Sequence, residues 1–243
     1  MLSSKIHKNN LIYCIAKFGE KNNLQELQSG RLYMKNFKYF KELEKQDVGD
    51  STEAETVIND VQLRISNNEE QHIKGRAQKI HLITKEDLLK PVLCFTYIDD
   101  SNIKIIDEDD NKKTVQIIFT EEQKQKFLEK FGEYVLLIRP ISLFKYIEEC
   151  FDKNCINAHY GEVRYSNFSV NDSERIESQI KDSNLKLMWK DNYFKYQREL
   201  RLIINNRQVK DNFQIDIGDM KSYSKLMPSK DFLDDDFRLI IFK

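Results

Sequence analysis

The sequence predicts an α+β protein with mixed, mainly antiparallel sheet and flanking helices. Short β-branched and aromatic runs come in clusters, helical patterns separate only some of them, and no regular strand–helix–strand alternation of the kind a parallel sheet needs runs through the 243 residues. Only 7 glycines and 3 prolines are present and no stretch has a linker's composition, so residues 1–243 are expected to form one domain.

From the N-terminus, "NNLIYCIAKF" is an apolar run suited to a strand. In "EKNNLQELQSG", Leu24 and Leu27 stand at helical spacing ahead of Gly30, a residue suited to ending a helix. "RLYMKNFKYFKELEK" begins as a strand and continues as a polar helix or turn. The polar loop "GDSTE" runs into an alternating segment with Val57, Val61, Leu63 and Ile65. A turn at "NNEE" and a strand near "KIHLIT" complete a hairpin. "PVLCFTYID" is a further strand, and "DEDDNKK" separates two short apolar runs as a hairpin turn.

Thr120 caps a helix that carries Phe127, Leu128 and Phe131 on one face and stops at Gly132. "EYVLLIRP" reads as a buried strand. "ISLFKYIEECFDKN" reads as an amphipathic helix with Leu143, Phe144, Ile147 and Phe151 inward. "HYGEVRYSNF" is a strand with Val163 and Tyr165, and residues 171–194 are helical with an aromatic end. "ELRLIINN", "FQIDIG" and "FRLIIFK" are the closing strands.

Charge and composition exclude several classes. With 39 basic and 40 acidic residues the formal net charge is −1, so no global field holds a polyanion or an anionic membrane. The N-terminal apolar patch is short of the roughly 20 residues a membrane span needs, which leads to the expectation of a soluble, cytoplasmic protein with no membrane partner. Neither a phosphate-binding G-x-x-x-x-G-K-S/T nor a dinucleotide G-x-G-x-x-G occurs. Cys14, Cys94, Cys150 and Cys155 and the histidines His7, His72, His81 and His159 lack metal spacing, so no metal site is expected from them.

The residues that carry chemistry lie in "NYFKYQRELRLIIN". Residues i and i+2 of a strand share a face, so Glu199 and Arg201 lie opposite Leu200 and Leu202, and a turn before the strand swings Gln197 toward a cleft. A carboxylate there suits a ribose hydroxyl and the positive charge that develops at an anomeric carbon, while Gln197 suits the orientation of an acceptor. The same spacing fits an exposed edge strand with Gln197, Glu199 and Arg201 in water. Tyr193, Phe194 and Tyr196, near Trp189, suit stacking on a nicotinamide or nucleobase or packing in a core. Lys190, Lys195, Arg198 and Arg201 interleave with them. Asp50, Glu53, Glu199 and Lys195 form a looser set that a metal-dependent nuclease would use.

Gln197-Arg198-Glu199 ahead of a strand resembles the C-terminal signature of mono-ADP-ribosyltransferases. The opening "LIYCIAKFGEKNNLQELQSGRLYMKNFKYF" resembles the start of DNA- and RNA-directed ADP-ribosyltransferase toxins and of an uncharacterised prokaryotic family found in phages and defence loci. That family's acidic loop, Cys-Phe-Ser strand and late aromatic–Glu-x-Glu–Arg run are matched in order by Asp50 and Glu53, by Cys94-Phe95-Thr96, and by Tyr196-Gln197-Arg198-Glu199-Leu200-Arg201. Thr96 replaces the usual Ser and Gln197 the first Glu. Tyr13 and Lys17 stand where a typical transferase has Arg or His, and Arg31 is the nearest alternative.

The resemblance implies an ADP-ribosyltransferase-like fold, NAD as substrate, and a macromolecular or nucleobase acceptor in a toxin or antiviral-defence setting. It implies Glu199 as the catalytic carboxylate, Gln197 as the acceptor-orienting residue, and Tyr13, Thr96, Tyr193, Tyr196 and Arg31 as the NAD-binding set. A non-enzymatic nucleotide- or protein-binding module is the alternative.

Overall fold

The structure, a computed structural model, describes residues 2–4, 11–43, 48–66 and 72–242. His7 and the "NNEE" turn lie outside the described residues. The strands in the first half are β1 (Leu2–Ser4), β2 (Cys14–Gly19), β3 (Arg31–Asn36), β4 (Glu55–Ser66), β5 (His72–Ile83), β6 (Pro91–Ile98), β7 (Ile103–Glu108) and β8 (Lys112–Ile117). The second half adds β9 (Tyr134–Ile138), β10 (Ala158–Glu162), β11 (Arg164–Ser166), β12 (Trp189–Asp191), β13 (Glu199–Ile204), β14 (Asn212–Asp216), β15 (Ser224–Pro228) and β16 (Arg238–Phe242). Helices α1 (Lys21–Gln28), α2 (Phe37–Glu42), α3 (Lys85–Leu88) and α4 (Glu121–Lys126) precede β9. Helices α5 (Pro140–Lys153), α6 (Ser173–Lys181), α7 (Ser183–Lys186) and α8 (Ser229–Phe232) follow it.

Nine strands form the main sheet. Its order is β1-β10-β13-β6-β2-β9-β15, with β3 on a second stretch of β6 and β14 on β3. Every pairing in it is antiparallel except β1 with β10. The expected α+β class with mainly antiparallel sheet is therefore what the chain adopts. Smaller sheets are the β4–β5 hairpin, the parallel pair β11–β12 and the ribbon β16-β8-β7.

One face of the main sheet packs on α1 and α5. Leu93, Phe95, Leu200, Leu202 and Ile204 meet Leu143, Ile147 and Phe151, and the last three are wholly buried. Burial of each such side chain stabilises by about 1.5–3 kcal/mol. α5 forms because Pro140 presets its first turn and its apolar residues recur at 3.6-residue spacing. The second face carries two separate apolar clusters, one around Phe18, Phe127, Val135 and Phe232 and one around Phe37, Val92, Leu187 and Ile203. The polar side chains of β6 and β13 lie on this second face.

The strand–helix–strand opening, both hairpins and the helices at 121 and 140 fall where the sequence puts them. Thr120 caps α4 with a reciprocal bond from Gln123. Other details differ, and β1, α3 and α8 have no counterpart in the sequence pattern. Leu128 is 44% exposed, because α4 continues into a π-helical turn over Phe127–Phe131 that turns Phe127 inward and Leu128 out. Val163 is a break between β10 and β11. The aromatic end of the 171–194 segment is strand β12 followed by a 3-10 turn, Asn192–Gln197. β15, too mixed in composition to signal a strand, owes its conformation to pairing with β9.

Gly30 ends α1 with φ +101°, and its carbonyl accepts from Ile217 N at 2.9 Å. A Cβ here would lie 2.3 Å from the Gly218 carbonyl oxygen, which is backbone and cannot yield cheaply. Gly30→Ala is expected to destabilise the protein by at least about 1–2 kcal/mol, read from urea unfolding. An unchanged midpoint would contradict this account of the α1–β14 junction.

Candidate functional site

The site is built at a fork in the sheet. β2 pairs with β6 only at Cys14–Ala16 opposite Thr96–Ile98, then stays with β9. β3 joins the same edge of β6 at Pro91 and Val92. Between those pairings, Leu93–Phe95 has no strand beside it on that edge. A lone lysine in an otherwise apolar strand answers the exposed backbone, since Lys17 Nζ donates to the Cys94 carbonyl at 2.8 Å. Beside the fork opens a cleft of about 210 Å³ whose walls include Lys17, Cys94, Thr96, Gln197 and Glu199.

β13 lies between β10 and β6, so it is an interior strand. Glu199 pairs with Thr96 and Arg201 with Cys94, which puts these four side chains on the cleft face. Gln197, Glu199 and Arg201 are 5%, 4% and 1% exposed, so the expected alternative of an edge strand in water is overturned. The turn before β13 aims Gln197 and Glu199 at the same space. It closes on Arg198 in a left-handed conformation, φ 46° and ψ 59°, which costs a non-glycine residue about 1–2 kcal/mol. The Arg198 guanidinium clamps this turn to β6, donating to Asp99 Oδ1 at 2.7 Å and Ser101 Oγ at 2.9 Å over the face of Tyr97.

Four buried charges meet on the cleft floor. Arg201 Nε donates to Glu199 Oε1 at 2.6 Å, its Nη2 to Glu53 Oε2 at 2.9 Å, and its Nη1 to the Leu187 carbonyl at 2.6 Å. Lys190 Nζ donates to Glu199 Oε2 at 3.0 Å and to Gln197 Oε1 at 2.8 Å, and stands 3.9 Å from Glu53. Both Glu199 oxygens are therefore held by cations. Its backbone N–H donates to the Tyr165 hydroxyl at 2.9 Å.

Burial alone would raise the Glu199 carboxyl, but the charges of Arg201 and Lys190 outweigh it and hold Glu199 well below the usual carboxylate range. For Glu53 the balance reverses. Burial dominates the pull of Arg201 and Lys190, helped by Asp50 and Glu199, and raises its pKa. Burial also lowers Lys17, against the attraction of Glu199, and pushes the Cys94 thiol up. Two neighbouring carboxyls thus have environments that drive their proton affinities apart, an arrangement found where acid and base roles are divided.

The structure brings Glu199, Gln197 and Thr96 into one cleft and leaves Tyr13, Arg31, Tyr193 and Tyr196 outside its walls. Tyr13 donates its hydroxyl to Asp100 near the far end of β6, with its own pKa pushed up to about 12 by that hydrogen bond and by burial. Arg31 is exposed and ion-paired with Glu26, in a neighbouring groove. Tyr193 and Tyr196 face a separate hollow beyond the Gln197–Glu199 turn, although the Tyr196 hydroxyl is 3.3 Å from Gln197 Nε2. The nuclease set is not assembled. Arg201 bonds to both Glu53 and Glu199, Asp50 caps Thr52, and exposed Lys195 belongs to the Tyr193 hollow. Among the described residues, no three His, Cys, Asp or Glu side chains are grouped to hold a metal ion, and no helix is long and apolar enough to cross a membrane.

The partnership of Glu53 with Arg201, 148 residues apart in sequence, has no local signal. Lys17 has one, as a single charge inside "CIAKFG". Comparison of the chain with protein-family models, curated proteins and solved structures finds no match.

Glu199→Gln is expected to cost about 3–5 kcal/mol at pH 7, the usual penalty for breaking a buried ion pair. The depressed folded pKa makes this contribution complete above the unfolded value of about 4.3 and lost as pH falls below it. Glu53 has the opposite sign: its contribution is complete below about pH 4.3 and lost as pH rises through its raised folded value. Glu53→Gln should therefore cost less than Glu199→Gln at pH 7, with the gap narrowing in acid. Urea titrations from pH 3.5 to 8 read this, and equal costs at every pH would refute the division.

Proposed function

We propose that the protein is an ADP-ribosyltransferase-like enzyme that takes ADP-ribose from NAD at this cleft and passes it to a macromolecular or nucleobase acceptor. The setting that fits the resemblance is bacterial toxin action or phage conflict. The observation that carries the reading is Glu199 itself, an ionised carboxylate in the cleft wall, with Gln197 two residues before it and Thr96 opposite it.

A second observation supports an extended ligand. The cleft of about 210 Å³ is small for a dinucleotide, but a groove of about 530 Å³ shares Lys17, Phe18, Phe40, Val92 and Cys94 with it. Together they reach the size range of small-molecule sites. The groove carries Arg31 and Lys35, which suits a pyrophosphate, and the Glu199 end suits a ribose. In the proposed reaction the bond from ribose carbon to nicotinamide nitrogen breaks, and its electron pair leaves on nicotinamide. Glu199 opposes the positive charge left on the sugar. The acceptor nucleophile, oriented by Gln197, forms the new bond and releases its proton.

The saturation of both Glu199 oxygens favours the second reading, a module that binds a nucleotide without turnover. Nicotinamide release from NAD by the purified protein separates the two. The transferase reading expects release that falls at least about 100-fold in Glu199→Gln while NAD binding persists by calorimetry. Because that variant also loses stability, Gln197→Ala is the companion: transfer to acceptor should drop more than NAD hydrolysis does. NAD binding with no release by the wild type would leave the binding module.

A further inference from the structure

The 3-10 turn and Arg198 form a wall with a site on each side. Gln197 and Glu199 face the NAD cleft, while Tyr196 and Arg198 face a hollow of about 570 Å³. That hollow is closed on its far side by α4, with Thr120, Gln123 and Lys126 in its wall. Gln123 Nε2 donates to the Tyr196 carbonyl at 3.0 Å, which ties α4 to the wall. The π-helical turn that follows α4 carries Lys130 and Phe131 to the rim of the NAD cleft, so one helical segment borders both spaces.

The hollow has the chemistry of a stacking site with cations. Lys126 Nζ lies 4.7 Å from the centroid of the Tyr193 ring and 4.3 Å from that of Tyr196, so both ring faces look onto one space. Tyr193 is 55% exposed, set edge-on against buried Phe194, and Tyr196 is backed by Phe127 and Phe131. Lys126, Lys195 and Arg198 line the space; Lys126 is ion-paired with Glu122 at 2.9 Å and Arg198 with Asp99 at 2.7 Å, so the local excess is one cation, carried by exposed Lys195. Rings offered face-on beside one excess cation suit a flat heterocycle attached to phosphate, and the excess is local in a chain of net charge −1.

We propose that this hollow receives an unstacked base of a single-stranded nucleic acid, and that this strand is the acceptor of ADP-ribose. Stacking on Tyr193 displaces Lys126 toward the adjoining phosphate. The neighbouring nucleotide then passes over the Tyr196–Gln197 contact to the rim of the cleft. The acceptor role rests on the transferase reading; the binding does not, and is measured without NAD.

The test is fluorescence anisotropy of the full chain with short labelled DNA and RNA strands of mixed sequence, and with the matching duplexes, over about 50 to 200 mM salt. Single strands are expected to bind more tightly than duplexes. Tyr193→Ala should weaken binding about tenfold and Tyr193→Phe should restore it, as ring stacking requires. Lys195→Ala should reduce the salt slope by about one, as loss of one phosphate contact does. Both residues are exposed, so unchanged thermal melting serves as the folding control. Failure of single strands to bind, or wild-type affinity in Tyr193→Ala, overturns the proposal. Strand binding without nicotinamide release keeps this site and removes the transferase reading. Nicotinamide release with ADP-ribose recovered on protein side chains, and no strand binding, does the reverse.

Discussion

Arg201 is a guanidinium at 1% exposure, and much of the second face of the sheet is arranged to satisfy it. An unpaired buried charge costs many kcal/mol, so its donors must find acceptors inside the protein. Glu199 supplies one from the same strand, the Leu187 carbonyl a second from the turn after α7, and Glu53 a third from the loop before β4. Three segments, one of them 148 residues away in sequence, are thereby pinned to one group. The ring of Phe37, 5.4 Å away, covers the flat face of the guanidinium. Lys190 completes the cluster, because two carboxylates around one cation leave negative charge that a second cation neutralises.

This requirement places the cleft. A polar cluster cannot sit inside either apolar cluster of the second face, so it occupies the gap between them, beside the fork where β2 and β3 part. The fork makes the gap possible, since two neighbouring strands there would bring side chains enough to fill it. Lys17 stabilises the fork by taking up a carbonyl that a strand would otherwise bond. The groove beside it is thus a consequence of how the sheet divides, and the two spaces communicate through the side chains of that division.

Much of this was legible in the sequence, and the boundary is physical. Elements whose signal is local came through: Leu24 and Leu27 at helical spacing, Gly30 after the helix, the Thr120 cap and the "DEDDNKK" turn. The alternation of Glu199 and Arg201 with Leu200 and Leu202 gave the correct faces. It could not say that the strand is interior with both faces covered, because that depends on β6 and β10 pairing at its edges and on packing from elsewhere in the chain. Strand β15 was missed for the same reason. Tyr13 shows the opposite limit: a tyrosine just ahead of β2 is no guide to the cleft when Asp100, 87 residues away, claims its hydroxyl.

The cluster also bears on how the cleft treats charge. Two cations face two carboxylates, so the charges of the set balance, and the opposite shifts make Glu53 the readier of the two carboxyls to take up a proton. The two cations bonded to Glu199 screen it from charge that develops on a sugar. Fixed groups at 2.6 to 3.0 Å offset part of that loss, since a carboxylate locked in place spends no free energy reorienting as the reaction proceeds. Which effect wins depends on Lys190. Its single nitrogen is shared between Glu199 and other acceptors, Gln197 at 2.8 Å and Glu53 at 3.9 Å, whereas Arg201 holds Glu199 and Glu53 through separate nitrogens. A Lys190 ammonium drawn closer to Glu53 would leave one Glu199 oxygen unbonded, so the balance between these two carboxyls for one cation sets how saturated Glu199 is.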